Sequence, residues 1–383
     1  MQIPYLRNIT FGLLAISLGM SSTARAQTTG PILIGAHLDV AKQASYYSLL
    51  QQQGINAFVA WKNAHGGIHG RPIKVLYEDD ELDPSVAAQK IDKLAGEGVI
   101  MLLSISASAT GIAAQAKAEE LKIPDASGNT AERLTTVPPK RYYFRIGIRD
   151  SVAGQALARY IKARNPAAKV AVVRDSTESG LLISDDYVTQ LKAAGIPIVD
   201  IEQITPGTVD VTAQALKVRQ AAPDFVVLAG ASTPDLANYI KMHVALHNTA
   251  PLLGSTLFGT PSFATLVGPA GEGFIFPSNV DLSRPEVQAD EELIVAGLGE
   301  KMRGDWTLIQ TWELMRMITT GMERGGTTRE TLRNALEGLK NWPIALGTRG
   351  MTVTFSPQNH DVFIRGDQVV MMQLHDGKYS NAK

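Results

Sequence analysis

The chain has 383 residues, 45% of them hydrophobic and 19% charged, an ordinary globular balance that excludes disordered and collagen-like chains and suits two domains. Its formal net charge of −1 offers no basic field for nucleic acid, and no block of like charges forms a tail or polybasic patch. There is no cysteine, so neither a thiol nucleophile nor a disulfide is available, and a chain of this length needs no disulfide staple.

The first 26 residues differ in kind from the rest. Arg7 is the only charge before an apolar run over 9–20, and a small polar stretch ends in Ala24-Arg25-Ala26. That is the layout of a secretory signal peptide with an A-x-A cleavage site. The run is well short of the ~20 apolar residues that cross a bilayer. Residues 1–26 are therefore expected to be removed after Ala26, with export to the periplasm. No cysteine follows the site to carry a lipid, and no later segment reaches ~18 apolar residues, so a soluble protein is expected.

After this leader, strand and helix alternate. Residues 32–38 read as a buried strand and 44–63 as a long helix that stops at Gly66-Gly67. Residues 73–77 read as a second strand, and Asp83-Pro84 opens a helix with Val86, Ala87, Ile91, Leu94 and Ala95 on one face. A third strand spans 99–103, then a Ser/Ala/Thr/Gly loop leads to a helix ending before Ile123-Pro124.

A second series begins after Tyr143-Phe144-Arg145-Ile146, with Asp150 as the expected cap of a helix to Ala163. Strands at 170–173, 196–204 and 225–229 alternate with helices at 181–194, from Asp210, and at 234–246. Two such series predict two α/β lobes with mostly parallel sheets. The tail breaks the rhythm: helices at 286–298, 308–322 and 329–339 precede period-2 stretches at 351–355, 362–365 and 369–374, with a turn at Asp376-Gly377.

The motifs of common enzymes are missing. There is no G-x-x-x-x-G-K-[ST] phosphate loop, no G-x-S-x-G nucleophile elbow and no dinucleotide glycine fingerprint. His243 and His247 are four apart on a helix, but position 244 is Val and two histidines fall short of a zinc set. The acidic run Glu78-Asp79-Asp80-Glu81 reads as a strand end at the surface. No catalytic residue, metal ligand or cofactor is expected. The weaker alternatives are a secreted hydrolase or oxidoreductase, and a ligand-sensing partner of a receptor, since one fold serves sensing and transport alike.

Asn63-Ala64-His65-Gly66-Gly67-Ile68-His69-Gly70-Arg71-Pro72-Ile73 resembles the NAAGGINGRPI run of the branched-chain amino-acid type of periplasmic binding protein. Tyr77-Glu78-Asp79-Asp80, Asp83-Pro84, Tyr143-Phe144-Arg145, Pro223-Asp224-Phe225-Val226 and Gly271-Glu272-Gly273 continue the likeness over about residues 30–377. The resemblance implies the type I periplasmic binding fold: α/β, with two Rossmann-like lobes joined by three crossover strands near 144–148, 274–280 and 344–351. Lobe 1 would hold 27–146 plus 279–348, and lobe 2 would hold 147–278 plus 349–383. It implies a monomer that captures a small molecule between its lobes, closes by a hinge, and delivers it to the permease of an ABC importer in the inner membrane.

Ser108 opens the helix after strand three, where free N–H groups and the helix dipole suit a carboxylate; the resemblance places the family's carboxylate-binding Ser there. It places a second donor loop at Ser127-Gly128-Asn129-Thr130-Ala131, with Asn129 and Thr130 as candidates. Tyr46 and Tyr47 are expected to cover the cleft. In the second lobe the family's contacts fall at Ser179, at Ala231 or Ser232, and at Thr256. Amino-acid binders of the family meet the α-ammonium with an acidic side chain at the Thr256 position. A hydroxyl cannot neutralise a buried ammonium, so the expected ligand is a small aromatic or aliphatic acid without an α-amino group. The alternative is an amino acid whose ammonium meets Glu178 or Asp235.

Overall fold

The computed structural model describes residues 30–42, 44–136 and 140–382; the expected leader, residues 1–26, lies outside them. The first series runs β1 (Ile32–Leu38), α1 (Ser45–Ala64), β2 (Ile73–Asp79), α2 (Pro84–Gly96), β3 (Met101–Ser104), α3 (Ser108–Leu121), β4 (Asp125–Ser127), α4 (Arg133–Thr136) and β5 (Tyr143–Arg145). Its five strands pair in parallel in the order β2-β1-β3-β4-β5. Asp83 accepts from the N–H of Ser85 and Val86 and Pro84 takes the first helical position, which fixes the start of α2. The Gly-Gly stop after α1 has a steric reason. Gly67 has φ +61°, and a Cβ on it would lie 2.1 Å from the carbonyl oxygen of Arg71, so the turn into β2 admits only glycine.

The second series runs α5 (Asp150–Arg164), β6 (Val170–Asp175), α6 (Glu178–Ala193), β7 (Ile198–Ile204), α7 (Thr212–Ala221), β8 (Phe225–Leu228), α8 (Thr233–Ala245), β9 (Leu252–Gly254), α9 (Pro261–Val267) and β10 (Ile275–Ser278). The chain then returns to the first lobe with α10 (Pro285–Leu298), α11 (Trp306–Gly325), α12 (Arg329–Glu337) and the two-stranded pair β11 (Trp342–Pro343) and β12 (Thr352–Val353). It ends in the hairpin β13 (Val370–His375) and β14 (Lys378–Asn381). The second sheet has the order β14-β13-β10-β9-β8-β6-β7, parallel from β7 to β10 and antiparallel beyond.

Both sheets are covered on two faces, which is why their central strands read as unbroken apolar runs. In β6, Val170 and Val172 pack in one cluster with Leu157, Ile161 and Tyr187. Ala171 and Val173 point the other way, toward Val218, Leu236 and Ile240. In the first lobe, Leu102 packs with Ala87, Ile91 and Ala118, while Met101 and Leu103 belong to the cluster of Phe58 and Trp312.

Three expectations need correction. Asp150 is the first residue of α5, not its cap: Arg149 holds the cap position and no side chain caps the helix. Residues 362–365 form no strand. The last passage to the second sheet also comes later than expected. Residues near 347 do run beside the second crossover, where the Gly347 N–H donates to the Asn279 carbonyl at 2.6 Å. The chain then turns back, and β12 pairs with β11. Phe355 packs edge-on to Phe144, His360 stacks on that ring, and Asp361 pairs with Arg145 at 2.9 Å. These contacts hold 355–361 on the first lobe, so the crossing falls at 362–369.

Candidate functional site

A cavity of about 430 Å³ lies where helices begin at the carboxyl ends of both sheets, the usual ligand position in open α/β sheets. Its first-lobe wall is the turn between β3 and α3. Ala107 is the cap residue of α3 and no side chain caps that helix, which leaves its first N–H groups to the cavity. Ser108 stands at the helix start, its Oγ accepting from the Ala131 N–H at 3.4 Å, so its own hydrogen remains to be donated.

Beneath this turn lies a buried polar network. His37 Nδ1 is 2.7 Å from Asp80 Oδ2, and Ser106, itself in the cavity wall, donates to Asp80 Oδ1 at 3.1 Å. Burial alone would raise the Asp80 carboxyl, but the hydrogen bonds from His37, Leu82 N–H and Ser106 win and hold it below the usual carboxylate range. The expectation of a surface acidic run therefore fails at Asp80, which is fully buried, while Glu78 does meet exposed Lys93 at 2.5 Å. Next to it, Ser104 donates to Asp125 at 2.8 Å, and burial pushes Asp125 up to about 6.

The loop after β4 supplies Gly128, Asn129 and Thr130 to the same wall. The Asn129 N–H donates to Ser127 Oγ at 3.0 Å, and its side-chain Nδ2 is buried with no partner among the described residues. Thr130 Oγ1 is 3.0 Å from Asp150 Oδ2. Gly128 lies directly against the amide end of Gln310: a Cβ there would sit 2.0 Å from Nε2 and push that side chain aside. Gln310 comes from α11 and accepts from Asn279 Nδ2 at 2.5 Å. Asp305 caps that helix, accepting from Thr307 and Leu308 N–H, and brings Trp306 and Thr307 into the wall; burial pushes its carboxyl up to about 6.

In the second lobe, Asp175 at the end of β6 accepts from the N–H groups of Thr177, Ala231 and Ser232 at 3.0, 2.6 and 2.8 Å. It thereby fixes the starts of α6 and α8 side by side. Ser179, Ala231 and Ser232 all face the cavity, as does exposed Glu178. Ser232 Oγ is engaged with Asp235, so Asp235 is spent on the helix start and does not line the wall. Thr256 is buried outside the wall, and its neighbour Leu257 takes the place. The physical reason is the 3-10 turn Thr256–Phe258, in which successive side chains diverge by a third of a turn.

Of the two tyrosines, Tyr47 lines the cavity and Tyr46 does not. Tyr47 Oη bridges the lobes, donating to the Leu257 carbonyl at 2.6 Å with Thr233 Oγ1 at 2.8 Å; burial raises its phenol well above the ordinary range. Tyr46 is 40% exposed and its hydroxyl meets Ser262. The structure thus gathers Ser108, Asn129, Thr130, Tyr47, Ser179 and Ser232, leaves out Tyr46 and Thr256, and adds Ser106, Trp306, Thr307 and Gln310. The signal for the last three was a helix cap, Asp305, in the segment expected to return to the lobes. His243 Nε2 donates to the Ala250 carbonyl at 3.0 Å and does not line the cavity.

Among the described residues, Glu178 is the only charged side chain in the wall; there is no Lys or Arg. The arrangement presents uncapped N–H groups, hydroxyls and amides on one side and Leu257, Ile183, Trp306 and Leu82 on others. Polar donors thus gather on one side of the cavity and apolar side chains on the others. Two α/β lobes that line one such cavity are the architecture of a solute-binding protein. The chain belongs to the periplasmic binding protein family, whose sequence profile matches residues 31–377.

Leu/Ile/Val-binding protein homolog 3 of Brucella melitensis is 23% identical over 95% of this chain and 97% of that protein. The Leu/Ile/Val-binding protein of Escherichia coli K12 is 22% identical over 82% of this chain and 84% of its own length. Among solved structures, a branched-chain amino-acid ABC transporter protein of Thermus thermophilus with bound valine superposes with a TM-score of 0.81 at 20% identity, covering 92% of this chain and 96% of that one. A type 1 periplasmic binding protein of Bordetella pertussis gives 0.79 at 18% identity over 90% and 97%. The family is one of solute-binding transport proteins, not of enzymes.

Proposed function

We propose that this chain is exported with cleavage after Ala26 and, as a monomer, captures a small organic acid without an α-ammonium for the permease of an ABC importer. The observation that carries the ligand class is the turn after β9. It presents Leu257 to the cavity, with no acid on that turn to neutralise an ammonium, and an unpaired buried charge is costly. The uncapped start of α3, with the hydroxyls of Ser108 and Thr130, serves the carboxylate by charge-assisted hydrogen bonds. Leu257, Ile183 and Trp306 serve an aliphatic or aromatic body.

One observation favours a second reading. Glu178 faces the cavity from the first turn of α6 and would meet an ammonium, as the names of the amino-acid-binding relatives suggest. Titration calorimetry with matched pairs separates the two: leucine against 4-methylpentanoate, and phenylalanine against 3-phenylpropionate. The acid-binding reading expects the des-amino member of a pair to bind at least tenfold tighter. Tighter binding of leucine or phenylalanine, abolished in Glu178→Gln, would overturn it.

A further inference from the structure

Thr130 has its backbone pinned and only its hydroxyl hydrogen free to choose. Its carbonyl accepts from the Asp150 N–H at 2.9 Å and from Arg145 Nη1 at 2.9 Å, so the residue cannot turn away from the cavity it lines. Its Oγ1 lies 3.0 Å from Oδ2 of Asp150. One hydrogen occupies that contact, and it comes from either Thr130 or Asp150. If Asp150 is ionised, Thr130 must donate to it and shows the cavity only lone pairs. If Asp150 carries a proton, Asp150 donates, and the Thr130 hydrogen is released toward the ligand.

The surroundings of Asp150 decide which arrangement holds. It is 1% exposed, and no cationic side chain pairs with it among the described residues. Arg145, on β5, is consumed by Asp361 at 2.9 Å and by the carbonyls of Thr130 and Ala131. Arg149, preceding α5, is held by Glu132 at 2.8 Å and Asp361 at 3.5 Å. The other groups facing it are acidic or phenolic: Asp186 and Tyr187 on α6, and Glu132 before α4.

We infer that Asp150 is a positioning residue that works as a neutral acid, giving its proton to Thr130 Oγ1 so that Thr130 donates its own hydrogen to the carboxylate of the bound solute. Burial pushes the Asp150 carboxyl up to about 8, with Asp186 and Glu132 adding to the rise against Thr130 and Arg145. On ionisation the same contact removes a donor from the wall and adds a negative charge behind it. Capture of an anionic solute then fails at alkaline pH. The inference rests on the carboxylate reading of the site.

The experiment follows the binding of 4-methylpentanoate and 3-phenylpropionate, both fully ionised above neutrality, from pH 7 to 9 by calorimetry. If only the protonated form binds, the affinity of the native protein should fall about tenfold over that range, as the competent fraction falls. Asp150→Asn, whose amide donates to Thr130 as the neutral acid does, should keep the affinity of neutral pH and lose the alkaline decline. Thr130→Val should bind weakly at pH 7, having lost the donor, and keep only the smaller part of the decline that the Asp150 charge causes; it serves should the Asn variant not fold. A native profile flat to pH 9, or an unchanged decline in both variants, overturns the inference. A carboxyl carbon titration of aspartate-labelled, ligand-free protein supplies the independent arm: the resonance lost in Asp150→Asn should titrate above pH 7. Titration below pH 5 overturns the inference whatever binds. Failure of both acids to bind at any pH overturns the carboxylate reading instead, and leaves the titration to decide the state of Asp150.

Discussion

At the scale of single residues, the site works by fixing where hydrogens point. Ser108 accepts from Ala131 N–H and keeps its own hydrogen to donate, while Ser106 gives its hydrogen to Asp80 and can only accept. A wall without Lys or Arg offers a carboxylate hydrogen-bond donors and no cation. A hydrogen bond to a charged group contributes about 1.5–3 kcal/mol, and ~1.4 kcal/mol is tenfold in affinity. Ser108→Ala is thus expected to weaken binding about tenfold or more, with the fold unchanged by circular dichroism. An unaltered dissociation constant in calorimetry would remove Ser108 from the site.

At the scale of elements, the site depends on helix starts arriving at strand ends, and buried carboxylates hold those starts in place. Asp175 joins α6 to α8, Asp305 starts α11, and Asp80 ties β1 and β2 to the turn before α3. His37 and Asp80 are both fully buried, so removing one leaves the other uncompensated. His37→Leu is expected to destabilise the protein by about 3–5 kcal/mol, read as a lowered urea midpoint at unchanged slope. The sign of the acid response follows from the depressed Asp80 carboxyl. The folded state favours the ionised form, so this stability is present above the ordinary aspartate range and is lost as pH falls through the lower folded value. Native protein should therefore lose stability on acidification more steeply than Asp80→Asn, in urea melts below pH 4.

At the scale of the whole molecule, the two lobes meet through Tyr47, which reaches from α1 to Thr233 and Leu257, through Tyr46, whose hydroxyl meets Ser262, and through the three crossovers. Few connections of this kind permit hinge closure. Trp306 reports on it. Of the four tryptophans, Trp61 and Trp312 pack on each other, Trp342 lies under Arg316, and Trp306 alone lines the cavity. Binding of an acid should change the intrinsic fluorescence, and Trp306→Phe should abolish the change while other spectra persist. A full signal in that variant would place the solute elsewhere.

The amino-acid sequence by itself determined the alternation of strands and helices, because the 2.0 and 3.6 residue periods are local properties. It also determined the helix start at Asp83-Pro84 and the Gly66-Gly67 turn, where local chemistry leaves one solution; the turns at Ser108 and Asn129–Thr130, which line the cavity, were located through the family resemblance. Tertiary structure alone decided the rest. Asp80 looks like one member of an exposed acidic run until β1 brings His37 beside it. Gln310 and Trp306 are distant in sequence from Ser108; the Asp305 cap marks where their helix starts, but only the return of α11 to the first lobe brings them to the cavity wall and sets Gln310 against Gly128. Thr256 and Leu257 are neighbours whose faces depend on a 3-10 turn, whose close i to i+3 geometry leaves no periodic mark in three residues. Asp150 reads as a helix cap, a common use for aspartate; its partner is Thr130, twenty residues back, because β4 and β5 lie side by side.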